Sequence, residues 1–354
     1  MNKIFIVSKS KLFIISVSLI YILAVLLSVR GDYVSGDEQG FLTAFADRGA
    51  KGSFDWRYFI WVFYISNLSN FHSSIPLIFN VFLMIFLVKK NINNNNFSFH
   101  MALVLVLLPT VFYYFNSYLR DVIFFIFSVS LLAYFKVENN GNKKIIIIFI
   151  WLVIFTIRPF YGCIYIATAM LASDRLSRYF EVLIFSLGIS FFSIGILILL
   201  NDSLYVAYFD FFYYGHLNGR DNLGVLMIPL NEFNNLTAAL NFLISPLYFW
   251  IIPAEGVGTN FDLILYLENG LFVIMFVLAI VAFMFGTLRN DRVFRFSCIA
   301  LMFSLFMAAA TTTHNDVYRF RLMFIPFLFY SASRVILLRG SGLLKLVPLN
   351  KLKS

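Results

Sequence analysis

Apolar runs with almost no charge recur along the whole chain. One of them, Phe180 to Leu200, contains a single ionisable residue, Glu181. A helix rises 1.5 Å per residue and must cover about 30 Å of hydrocarbon, so runs of this kind are sized to cross a bilayer. Hydrophobic residues make up 61 % of the chain and charged residues 13 %, with a mean hydropathy of +0.85. That balance excludes an ordinary soluble domain. The chain reads as an all-α polytopic integral membrane protein, a single transmembrane domain over 1–354 with about ten spanning helices.

The net charge of +9 is then a topology signal rather than a nucleic-acid signal, because Lys and Arg collect in cytoplasmic loops. Spans are expected at Leu12–Val29, Ile75–Val88, Phe99–Phe115, Val122–Phe135, Ile145–Ile157, Phe160–Leu171, Phe180–Leu200, Leu271–Leu288, Phe296–Ala310 and Phe320–Leu338. The fifth and sixth are short and meet at Arg158-Pro159. A single kinked helix there would invert everything downstream and place DRLSR (Asp174–Arg178) and RNDRVFR (Arg289–Arg295) outside, so two helices are preferred. Lys89-Lys90, KVENNGNKK, DRLSR, RNDRVFR and the C-terminus fall inside, and the asparagine tract after Lys90 reads as a plain polar turn. Outer loops are expected at 31–74 and 201–235. Leu236–Pro253, interrupted by Pro246 and Pro253, reads as a re-entrant or interfacial segment. The first helix reads as uncleaved. Cys163 and Cys298 lie in apolar runs and read as buried thiols.

The longest polar interruption near the start is Gly31–Phe59, which carries Asp37 and Glu38 between Gly36 and Gly40. Two amphipathic pieces follow, Phe41–Asp47 and Trp56–Phe71, read as surface helices. Adjacent carboxylates at a membrane surface can supply a general base, or a base and a metal ligand; the plainer reading is a solvated acid pair before a helix.

The other expected outer turns collect charges of both signs. Arg120-Asp121 could hold a phosphate through a bidentate guanidinium, or form a local ion pair at a helix start. Arg158 is expensive between apolar segments unless it is paired, in a wet cavity, or snorkelling. His314, Asp316, Arg319 and Arg321 form the densest polar cluster at any helix mouth. Asp316 and Arg319 are three apart on one face, and Arg321 points elsewhere, as a phosphate ligand or a snorkelling side chain. His216, Arg220 and Asp221 sit in a glycine-rich stretch that could close over a sugar or be an ordinary exposed turn. No nucleotide, zinc or haem motif is present.

A first helix, a large outer loop with GDEQGF, surface helices and a short-looped bundle resemble the GT-C class of membrane glycosyltransferases. The turns SYLRD, IRPFYG and HNDVYRFRLMFIP resemble arginine-bearing turns of bacterial members. Within that class the size and the Phe/Ile/Asn-rich composition are similar to Wzy-type O-antigen polymerases and EpsG-like proteins. The resemblance implies an enzyme of the bacterial inner membrane that joins sugars on the extracytoplasmic face from a polyprenyl-linked donor. Asp37 with Glu38 would deprotonate the acceptor. Arg158, Arg319, Arg321 and Arg120 would hold the donor phosphates, outer loops with His216 and His314 would shape the sugar site, and Asp121, Arg220 and Asp316 complete the substrate-binding set. No cofactor is implied, a divalent metal at the acid pair being the one group left open. The partners implied are a polyprenyl-linked oligosaccharide, the lipid bilayer and a chain-length regulator protein. Alternatives are a GT-C enzyme adding one sugar from a polyprenyl-phosphate donor, and a flippase of lipid-linked oligosaccharides.

Overall fold

The structure is a computed structural model describing residues 9–26, 75–115, 122–134, 141–157, 159–217, 234–251, 259–284, 286–310 and 314–340. Helix dominates, and no strand occurs among these residues. The helices are α1 (Lys9–Leu26), α2 (Ile75–Asn93), α3 (Phe99–Leu107), α4 (Pro109–Phe115), α5 (Val122–Tyr134), α6 (Gly141–Ile157) and α7 (Pro159–Leu171). They continue as α8 (Phe180–Leu200), α9 (Asp202–Leu217), α10 (Asn235–Trp250), α11 (Thr259–Met284), α12 (Arg292–Ala309) and α13 (His314–Gly340). Short 3-10 turns at Asp174–Tyr179 and Gly286–Asn290 lead into α8 and α12.

Four stretches are long and apolar enough to cross a membrane: Asp174–Leu200, Tyr266–Met284, Arg292–Ala309 and Phe320–Leu337. Parts of α1, α5, α6, α7 and α10 are apolar but shorter. Phe185, Ile189, Phe192 and Leu200 of α8 are exposed, as are Leu152 of α6 and Ile274 of α11. A surface of large apolar side chains on this scale belongs in lipid rather than water.

Helix α13 is the hub. Every residue from Arg321 to Ser333 is buried, and it packs against α3, α5, α10, α11 and α12. A helix apolar on all sides needs that position. Helix α1 belongs to the same core, with Phe13, Val17 and Tyr21 buried against neighbours.

One end of the bundle is tied by charges. Arg334 pairs with Asp291 and donates to the Asn95 carbonyl at 3.2 Å. Arg295, wholly buried, reaches Asp174 and the carbonyls of Ala172 (3.3 Å) and Arg289 (2.9 Å). Arg289 pairs with Glu181. The polar turns DRLSR and RNDRVFR, Arg334 and the asparagine tract therefore share one end, as the sequence reading requires.

The asparagine tract is more than a turn. Asn91 donates to the Val129 carbonyl (2.9 Å), Asn96 to Leu132 (2.8 Å) and Asn94 to Ala133 (3.0 Å). The Leu132 and Ala133 carbonyls lie in the last turn of α5, where the helix leaves its own acceptors open.

Helices α6 and α7 fold back on one another. A Cβ added at Gly162 would stand 2.8 Å from the Phe155 Cα, a contact that a continuous helix cannot make, because residues seven apart lie about 10 Å apart along its axis. The two-helix reading at Arg158-Pro159 holds.

Several expectations change. Phe99–Phe115 is broken at Leu108, whose ψ of 133° is extended, as a residue before proline prefers. The expected loop at 201–235 opens with helix α9. Helix α11 begins at Thr259 rather than Leu271. Cys163 is exposed, while Cys298 is buried, and both are free.

Candidate functional site

At the end opposite the ion pairs, a chain of rings gathers the starts of three helices. Phe115 of α4 meets Phe125 of α5 at 5.4 Å between centroids. Phe124 of α5 meets Tyr161 of α7 at 4.8 Å, and Tyr161 meets Phe320 of α13 at 5.7 Å. All three contacts are edge-to-face, the arrangement the ring quadrupole favours. Arg120, Arg158 and Arg319 precede these rings closely in sequence.

Beside the rings lies a buried polar junction. In a continuous helix the Thr110 N–H would bond the Val106 carbonyl. The break at Leu108-Pro109 separates them, and each finds a partner on a distant helix. The Tyr21 hydroxyl of α1 donates to the Val106 carbonyl at 2.7 Å. Glu268 of α11 accepts from the Thr110 N–H at 3.2 Å and from its hydroxyl at 2.7 Å. Away from water each open backbone group would cost several kcal/mol, so the break stands only because side chains close it.

A second helix end terminates nearby. Pro246 within α10 leaves the Phe242 carbonyl without its usual donor, and the Ser245 hydroxyl supplies one at 2.7 Å. In the last turn of α10 the Phe249 carbonyl accepts from Arg321 Nε. Another nitrogen of the same guanidinium donates to Asn269 Oδ1 at 2.8 Å. The Phe249 and Phe272 rings flank the guanidinium at 5.9 and 5.6 Å. Trp250 anchors the same end through Ser304 at 3.1 Å. Glu268, Asn269 and Arg321 are all buried, and Asn269 Nδ2 has no hydrogen-bond partner among the described residues.

The expected site residues divide accordingly. Asp37, Glu38, Arg120, Asp121, Arg158, Arg220 and Asp221 lie outside the described residues. His216 falls at the end of α9, and His314, Asp316 and Arg319 in the first turns of α13, so their backbone is helical while their side chains lie outside the description. Arg321 is fully described, and it neither snorkels nor faces solvent. Glu268 and Asn269 are not among the sequence-predicted site residues, and the span expected at Leu271–Leu288 begins just after them. The available signal was a carboxylate one turn inside an apolar run, which marks function or a buried partner. Among the described residues, no three His, Cys, Asp or Glu gather as a metal site would need.

Compared with known proteins, the chain matches no family model, no curated protein and no solved structure.

Proposed function

We propose that the protein is a ten-span membrane glycosyltransferase of surface-polysaccharide synthesis. In this reading it sits in a bacterial inner membrane and polymerises polyprenyl-pyrophosphate-linked repeat units on the extracytoplasmic face. The observation that carries it is the ring chain. It packs the starts of α5 and α7 against Phe320 of α13 at one end, and the arginines expected to bind phosphate adjoin those helices in sequence. A pyrophosphate whose lipid tail stays in the bilayer needs cations at such a border.

The chemistry follows from those roles. Asp37 takes the proton of an acceptor hydroxyl, whose oxygen attacks the anomeric carbon of the donor. The bond from that carbon to the phosphate oxygen breaks, and polyprenyl pyrophosphate leaves with the electron pair. Arg120, Arg158 and Arg319 neutralise the charge that develops on it. Glu38 stands beside Asp37 at the acceptor, and Asp121, His216, Arg220, His314 and Asp316 border the sugars. A chain-length regulator would act beside the enzyme.

Glu268 and Arg321 favour a second reading. Ionisable groups buried between candidate spans also mark transport pathways, as in a flippase of lipid-linked oligosaccharides. A deletion strain separates the readings on a surface-polysaccharide gel. Single repeat units indicate a polymerase, a long unmodified ladder a single-sugar transferase, and no polymer a flippase. Asp37→Asn should abolish chain growth at normal protein level, since a positioned base contributes about 100- to 10,000-fold. Glu38→Gln should cost less. A wild-type ladder from both variants would remove the first polar loop from the catalytic site.

A further inference from the structure

We infer that Glu268 and Arg321 are an interdependent pair of positioning residues. They close the two helix ends that terminate inside the bundle and thereby set where the start of α13 stands; the positioning role rests on the transferase reading above.

The signs of the two charges are the first argument. Glu268, an anion, takes the N–H of Thr110 in the first turn of α4. Arg321, a cation, takes the carbonyl of Phe249 in the last turn of α10. First turns expose donors and last turns expose acceptors, so each charge matches the end it closes.

Their connection is the second. Glu268 and Asn269 are adjacent on α11, and Asn269 accepts from Arg321 at 2.8 Å. One dipeptide therefore faces α4 through Thr110 and α13 through Arg321, and Arg321 in turn grips α10. Four helices register on one junction.

Burial is the third. Glu268 is 2 % exposed and Arg321 0 %. Removing one of two buried charges leaves the other without compensation, which costs far more than removing both. Phe320, next to Arg321, is the α13 member of the ring chain. A shift of the junction therefore passes directly to the segment that carries Arg319.

The test compares six versions of the full chain: wild type, Glu268→Gln, Arg321→Gln, the double variant, Glu268→Asp and Arg321→Lys. Thermal unfolding in detergent micelles needs no substrate. Each neutralised single should unfold well below the wild type, and the double variant should unfold above both singles. Additive losses would overturn the interdependence.

Glu268→Asp and Arg321→Lys keep the charges but not the reach to two partners. They should unfold above the matching Gln variants yet shorten the surface-polysaccharide ladder, with chain growth per membrane-inserted protein down about 100-fold, the scale of a 1 Å misplacement. A purely structural pair would leave that rate untouched in a stable variant, so wild-type ladders here would overturn the positioning role. If deletion of the gene leaves the polysaccharide unchanged, the transferase reading fails and takes the positioning role with it. The unfolding comparison still decides the interdependence.

Discussion

Four donors meet the Asp291 carboxylate: the N–H groups of Val293 (2.9 Å) and Phe294 (3.4 Å), the Tyr330 hydroxyl (2.9 Å) and the Arg334 guanidinium. The first two make it the N-cap of α12; the last two tie that cap to α13. Burial alone would push its carboxyl up, but the Arg334 charge and the hydrogen bonds outweigh burial and hold it below the ordinary carboxylate value. A carboxylate that is more acidic folded than unfolded stabilises the fold above its unfolded value, near pH 4, and loses that contribution as pH falls through the lower folded value. Asp291→Asn should therefore cost about 2 kcal/mol at neutral pH, the scale of hydrogen bonds to a charged group. It should also flatten the acid side of the stability profile. Unfolding followed from pH 7 to pH 3 checks both, and parallel profiles for the two proteins would rule out this role.

Between elements, α6 and α7 approach closely at Gly162. The atom a new Cβ would strike is the Phe155 Cα, which is backbone and cannot turn aside. Gly162→Ala should destabilise by about 1–3 kcal/mol, the usual cost of overpacking. Gly270→Ala in α11 meets nothing within 4 Å among the described residues and should be neutral or stabilise by up to about 1 kcal/mol through helix propensity. Equal unfolding midpoints for the two variants would show that the α6–α7 contact has no such constraint. The same elements show what was legible in sequence. The break at Pro159 could be read because it is local and the basic turns downstream fix its sense. The break at Pro109 is equally local in cause, but the residues that make it tolerable, Tyr21 and Glu268, are remote in sequence. Without them Phe99–Phe115 reads as one helix. The start of α11 lies earlier than the expected Leu271, because Glu268, polar for a helix interior, is satisfied there by Thr110. The candidate site was legible only as a set of arginine-bearing turns. Its buried junction depends on pairings across helices that no spacing reveals.

For the whole molecule, the ion-paired end and the ring end are set by α13. Arg334 stands at the first and Phe320 at the second, about 20 Å apart at 1.5 Å per residue. Helix α8 leaves the ion-paired end, where Glu181 pairs with Arg289, and its 21 residues rise about 30 Å to Leu200. If the bundle crosses a bilayer along this axis, exposed positions at the ion-paired end must share one aqueous side, and positions after Leu200 must face the other. Asn93 at the end of α2 and Arg178 before α8 are both exposed and at the ion-paired end, while Ser203 is exposed and follows Leu200. With Cys163 and Cys298 replaced, single cysteines at these three positions report the topology. The positive-inside rule puts the ion-paired end in the cytoplasm. A membrane-impermeant maleimide added outside should therefore label Ser203→Cys at once, and Asn93→Cys and Arg178→Cys only after the inner membrane is opened. The reverse pattern would keep the bundle and invert its orientation, moving the ring end and its arginines to the cytoplasm and away from an extracytoplasmic donor. Labelling of Asn93→Cys and Arg178→Cys from opposite sides would be more damaging, because the Arg295, Arg334 and Asp174 contacts that hold those segments together would then have to be wrong.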